Sequence, residues 1–149
     1  MGDVPPGSGQ LGAIVVIEHG AGIVMVLPPG GPSGAPASLP GGFAEPRETH
    51  EDAAVRLALE QTGLEIALGA EITRFVQEGT PIGTVEVAAY VAAPTGGSLR
   101  GDGPEGPAAV YPLDSLPRII PIRAANQRVL DAYLGGRGPF EPDADSARR

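Results

Sequence analysis

The sequence predicts an α+β domain in which helices cover a mixed β-sheet. Three observations carry this. Residues 13–17 and 23–27 are β-branched-rich runs on either side of a glycine-bearing turn. Residues 49–62 change to a helical pattern with start and stop signals at its two ends. Two more strand-like runs, 64–76 and 82–93, then lead to a second helical segment at 121–134. Strands, helix, strands, helix is an order that lays helices against a mixed sheet.

The elements follow in chain order. Residues 1–10 are rich in Pro, Gly and Ser with little to bury, and read as a flexible lead-in. The domain is expected over 11–135 and a flexible polar tail over 136–149. Gly20 and Gly22 supply the loop of a first hairpin. A Pro/Gly-rich excursion over 28–42, broken only by Ala37-Ser38-Leu39, is expected to end in a short strand. Thr49 caps the first helix, Asp52 stands three residues later, and Gly63 stops it. Residues 77–81 form the turn between the longer strands. Beyond the Gly-rich stretch 94–107, residues 108–111 read as another strand, and Pro121 stands in the first turn of the closing helix.

Composition narrows the function classes. The 149 residues suffice for one domain. The 23 Gly and 17 Pro would suggest disorder if evenly spread, but they gather at 1–12, 27–42, 94–107 and 135–142, leaving apolar runs between. With no Trp, three Phe and three Tyr, the core is expected to be mostly Ala, Val, Leu and Ile. A net charge of −8 without a basic stripe argues against nucleic acid as a partner. All the basic residues are Arg, and the first of them is Arg47. No Cys is present, so no disulfide or thiolate site exists. No signal-like or membrane-spanning apolar run is seen, and a cytoplasmic location is the expectation.

One segment carries chemistry. Leu39-Pro40-Gly41-Gly42 leads into Gly42, Glu48, Arg56, Ala58, Glu60, Gly63 and Leu64, and this set resembles the Nudix box in every spacing. That box reads Gly, five residues, Glu, seven residues, Arg-Glu, an aliphatic, any residue, Glu-Glu, any residue, Gly and an aliphatic. Val110-Tyr111-Pro112-Leu113-Asp114-Ser115-Leu116-Pro117 also resembles the strand and turn before the last helix of that family. The resemblance implies a Nudix fold, a mixed sheet sandwiched between helices.

It further implies a metal-dependent pyrophosphohydrolase of nucleoside diphosphate-linked substrates, with carboxylates at positions 57, 60 and 61 holding Mg²⁺ or Mn²⁺. Here those positions are Leu57, Glu60 and Gln61. Leu57 cannot ligate a cation, and Gln61 offers a neutral oxygen only. The expected metal set is therefore Glu60, with Glu48, Gln61 and Glu105 as further candidates and Asp102 as the alternative to Glu105. Arg56 and Glu60 are the candidate catalytic residues, although an Arg56–Glu48 pair also suits a purely structural tie between loop and helix. Glu71, Arg74, Glu78 and Glu86 are expected candidates for the cleft wall, and His50 and His19 are expected to be solvated. The second reading is a catalytically silent module that binds a nucleotide or metabolite. A small nucleotide-like partner is expected in both, and the resemblance leaves a homodimer open.

Overall fold

Strand β1, Gln10–His19, is the axis of the fold. Its run from Ala13 to Ile17 is apolar at every position and excluded from solvent, as expected of a strand covered on both faces. The computed structural model describes residues 10–26, 38–80, 83–100, 108–115 and 124–135. The Pro/Gly excursion up to residue 37, the start of the closing helix at Pro121, the segment with Asp102 and Glu105, and the tail lie outside the described residues.

β1 pairs in parallel with β5, Gly83–Gly97, from Gln10 opposite Val85 to Ile17 opposite Ala92. It pairs antiparallel with β2, Gly22–Val26, at its end, and with β3, Gly41–Phe43, along Gly12 to Ile14. β4, Leu64–Thr80, lies antiparallel beside β5, and β6, Ala108–Pro112, beside β2. The sheet order is β4-β5-β1-β2-β6, with β3 off that path on β1. One parallel pair among antiparallel ones makes the sheet mixed, as the sequence predicts.

Alternation along β1 decides what each face meets. Ala13, Val15 and Ile17 join Val24, Ala88, Tyr90 and Ala92 under helix α1, His50–Thr62. Ile14 and Val16 join Ile23, Met25, Val87 and Ala89 under helix α2, Ala124–Gly135, which contributes Val129, Leu130 and Tyr133. Full burial of each such branched side chain stabilises the fold by ~1.5–3 kcal/mol. Helix α1 meets the sheet through Ala53, Ala54 and Ala58, all fully buried, so its backbone approaches closely. The sheet is thus held between two helices. Among the described residues no helix is long and apolar enough to cross a membrane.

The Pro/Gly excursion ends in a short strand, β3, as expected, after a bridge from Ser38 to Val26. Two expectations are revised. β1 starts at Gln10, inside the expected lead-in, and β4 and β5 run to Thr80 and Gly97. His50 is buried rather than solvated: its Nε2 lies 3.2 Å from the Glu86 carbonyl oxygen on β5. His19 is exposed, as expected.

Candidate functional site

The site is built on the two ends of α1. At the start, Thr49 Oγ1 accepts from the Asp52 amide at 3.0 Å, and the Asp52 carboxylate accepts from the Thr49 amide at 3.4 Å. This closes the predicted capping box. At the end, Gly63 adopts φ 82°, and its amide donates to the Leu59 carbonyl at 3.0 Å. A Cβ at Gly63 would run into the Ser98 carbonyl oxygen and the Arg100 stem, so conformation and space both require glycine there.

Arg56 fastens the loop before α1 to the helix. Its Nε donates to Glu48 Oε2 at 2.6 Å and its Nη2 to Glu48 Oε1 at 2.9 Å, a two-pronged contact. Nη2 also donates to the Phe43 carbonyl at 3.1 Å, and Nη1 to Glu60 Oε1 at 3.1 Å. Glu48 turns its other contact back on the loop, accepting from the Glu45 amide at 2.8 Å. The guanidinium holds the Glu48 carboxyl below the ordinary carboxylate range, and Glu48 in turn raises the Arg56 pKa. Glu60 is half exposed on this row.

Leu57 and Gln61, one turn apart, face the glycine loop instead. Leu57 is buried in the α1-side core, and its methyl groups lie 3.4–3.6 Å from where a Gly42 Cβ would stand. Gln61 is buried as well, and both ends of its amide are engaged by one backbone unit. Oε1 accepts from the Gly41 amide at 3.0 Å and Nε2 donates to the Gly41 carbonyl at 2.9 Å. Gly41 tolerates nothing larger, because a Cβ there would stand 2.5 Å from the Ala13 carbonyl oxygen.

The C-terminal turn of α1 also holds Arg100. The Arg100 amide donates to the Thr62 carbonyl at 2.8 Å, and the Ala108 amide to the Arg100 carbonyl at 2.9 Å. Asp102 and Glu105 themselves lie outside the described residues. The Arg100 guanidinium reaches the Glu60 carbonyl, Nη1 to oxygen 3.4 Å. Sequence reasoning missed Arg100. The available signal was a box helix without a basic residue in its last turn, followed by an arginine directly after β5.

Glu71, Arg74 and Glu86 gather elsewhere. Arg74 donates to both Glu71 oxygens at 2.9 and 2.8 Å and to Glu86 Oε2 at 2.9 Å, and His50 Nε2 stands 3.9 Å from that same Glu86 oxygen. This cluster meets α1 at His50, ten residues before Glu60, or about 15 Å along the helix axis. Tyr90, also buried there, has its phenol pKa raised by burial and then by the Glu51 and Glu71 charges. The cluster is thus separate from Glu60. Glu78 is exposed near the end of β4.

The fit to a divalent cation follows from these contacts. Leu57 offers no donor atom, the Gln61 oxygen is already used by Gly41, and Glu60 is paired with Arg56. Among the described residues no group of three or more His, Asp or Glu is placed to hold a metal ion. The described donors alone do not make such a site.

Comparison with known proteins agrees with the fold and the spacing. The NUDIX domain pattern matches residues 9–133. No curated protein matches the sequence. Among solved structures, the chain is similar to the ORF135 protein of E. coli, with TM-score 0.73 and 21% identity over 94% of this chain and 100% of that one. It is similar to a NUDIX hydrolase from Nitrosomonas europaea, with TM-score 0.68 and 17% identity over 87% and 90%. It is also similar to an ADP-ribose pyrophosphatase from Streptococcus suis 89-1591, with TM-score 0.65 and 16% identity over 91% and 96%. At these identities the structural likeness speaks for the fold, and the match over 9–133 speaks for the family. With the loop, the capped helix and the sandwiched mixed sheet all in place, the chain belongs to the Nudix family.

Proposed function

We propose that this chain is a Nudix-type hydrolase that cleaves the diphosphate of a nucleoside diphosphate-linked substrate, with a weakened grip on its divalent cation. The observation that carries the reading is the contrast within one helix. The Glu48–Arg56–Glu60 row keeps its charges and geometry, while Leu57 and Gln61 occupy two of the three places where the family sets carboxylates. A structural neighbour named for ADP-ribose pyrophosphatase activity supports the substrate class. The proposed ligand set for Mg²⁺ or Mn²⁺ is Glu60 with Glu48, Gln61 and Glu105. Glu105 enters from the resemblance, which places a further carboxylate in the loop before the strand at 108–111. Arg56 is proposed as a residue that holds Glu48 and Glu60 in place. The same reading puts the chain in the cytoplasm, acting on a small molecule and not on nucleic acid or membrane, as a monomer or homodimer.

The test is release of phosphate-containing products from a panel of nucleotide sugars, dinucleotides and nucleoside triphosphates with Mg²⁺ or Mn²⁺. Turnover that Glu60→Gln abolishes supports hydrolysis. Turnover no greater than that of Glu60→Gln removes it.

One observation favours a second reading, a silent binding module. Both ends of the Gln61 amide are hydrogen-bonded to the Gly41 backbone, so a neutral group braces the loop where the family sets a carboxylate. Calorimetric binding of a nucleotide in the presence of EDTA, without product, would select this reading over the first.

A further inference from the structure

We infer that Arg100 supplies the anion contact of this site, its guanidinium meeting a phosphate of the ligand beside the last turn of α1. This rests on the proposal that the cleft takes a diphosphate compound.

A doubly charged diphosphate requires cationic or N–H partners. The first hairpin and the segment up to Gly42 carry no Lys or Arg, so they provide no cation. Two arginines beside α1 are committed to carboxylates: Arg56 to Glu48 and Glu60, and Arg74 to Glu71 and Glu86. Arg128 stacks on Phe75, 4.4 Å from the ring centroid, on the other face of the sheet.

Arg100 differs from these three. Its backbone is fixed at both sides by hydrogen bonds to Thr62 and Ala108, and its stem lies against Gly63, within 2.8 Å of where a Cβ would be. Among the described residues its exposed guanidinium makes one long contact, 3.4 Å, to the Glu60 carbonyl oxygen. That leaves a positioned cation with N–H groups to spare, beside the helical turn that carries Glu60 and Gln61. A contact to a helix carbonyl also complements the negative end of the helix dipole, an effect confined to stability and small for an exposed group. Ligand affinity separates the two roles.

The experiment uses the full chain with Arg100→Gln, which keeps the stem, and Arg100→Lys, which keeps the charge. Arg47→Gln, exposed at the other end of α1, makes the same change in net charge and serves as control. The probes are ADP and inorganic pyrophosphate, measured by calorimetry with Mn²⁺ and with EDTA, alongside KM and kcat for any substrate turned over. Arg100→Gln is expected to weaken binding, or raise KM, by about ten- to a hundredfold. Arg100→Lys should recover part of the loss because it lacks the planar fork. Arg47→Gln should bind within about threefold of the original chain, since an exposed charge distant from the ligand is screened. The melting temperature of Arg100→Gln should stay within about 4 °C.

Undiminished binding by Arg100→Gln overturns the inference and leaves the functional proposal standing. So does an equal loss in Arg47→Gln, or a fall in melting temperature that unfolds the variant under assay conditions. If the original chain binds neither probe, the functional proposal fails and the inference with it.

Discussion

Two rows of side chains run along the same helix and solve different problems. The row of Arg56 and Glu60 meets the loop through charge: one guanidinium joins Glu48, Glu60 and the Phe43 carbonyl. The row of Leu57 and Gln61 meets it without charge, through hydrocarbon beneath Gly42 and a paired amide on Gly41. Beyond its backbone pairing with β1, the loop is held on one side by an ion-paired guanidinium and on the other by neutral side chains. Where acids would need a cation to bring them against backbone carbonyls, an amide brings its own donor.

The contrast can be broken first at its apolar end. Leu57→Ala removes a buried side chain and leaves a cavity next to Gly42, and should cost ~2–5 kcal/mol in chemical denaturation. A loss below about 1 kcal/mol would mean that the loop is not seated on Leu57.

Gln61→Glu comes next. It deletes the donor to the Gly41 carbonyl and sets a carboxylate against that oxygen, so stability should fall by ~1–3 kcal/mol in EDTA. Millimolar Mn²⁺ should return part of the loss in the same denaturation assay, because a ligand that binds only the folded state stabilises it. A variant as stable as the original chain in EDTA would deny the amide its role.

On the charged row, Glu48→Gln should cost ~1–2 kcal/mol, since a charge-assisted fork becomes a neutral contact while Arg56 keeps Glu60. The pH dependence has a definite sign. Glu48 is held below its ordinary value of 4.5 by Arg56, so its contribution is present above that value and is lost as pH falls below it toward the folded value. Denaturation midpoints of the original chain and of Glu48→Gln should therefore converge as pH drops below 4.5. Curves that stay parallel would contradict the assignment.

The smallest effect is expected of Glu60→Gln, which disturbs a half-exposed pair one turn from Arg56 and should change stability by at most ~0.5 kcal/mol. Stability close to the original chain makes this the right variant for asking about catalysis.

The sequence was most legible where structure is local. Thr49, Asp52 and Gly63 declare the ends of α1 because capping involves residues within one turn, and the burial of β1 on both faces follows from an unbroken apolar run. The pairing of strand β3 was not legible. Gly41-Gly42-Phe43 has little strand character of its own and is extended by pairing with Gly12 to Ile14, about thirty residues away. His50 was misjudged for a similar reason. A first-turn histidine is exposed on an isolated helix, and only the approach of β5 with Glu86 buries it.

Within the site, spacing alone placed Glu48 and Arg56 eight residues apart and in contact. The engagement of both ends of the Gln61 amide by a single glycine depends on loop geometry that no spacing rule contains. Arg100 was hidden by distance, forty residues from the Glu60 carbonyl it touches.

The weak cation grip proposed for a site with Leu57 and Gln61 is measured directly by a Mn²⁺ titration followed by electron paramagnetic resonance. Run on the original chain and on a Leu57→Glu, Gln61→Glu double variant, it should give weak binding for the first and at least about a hundredfold tighter binding for the second, as hard cations gain far more from carboxylates than from an amide or a methyl group. Equal binding by both proteins, with the double variant folded in Mn²⁺, would contradict the proposal.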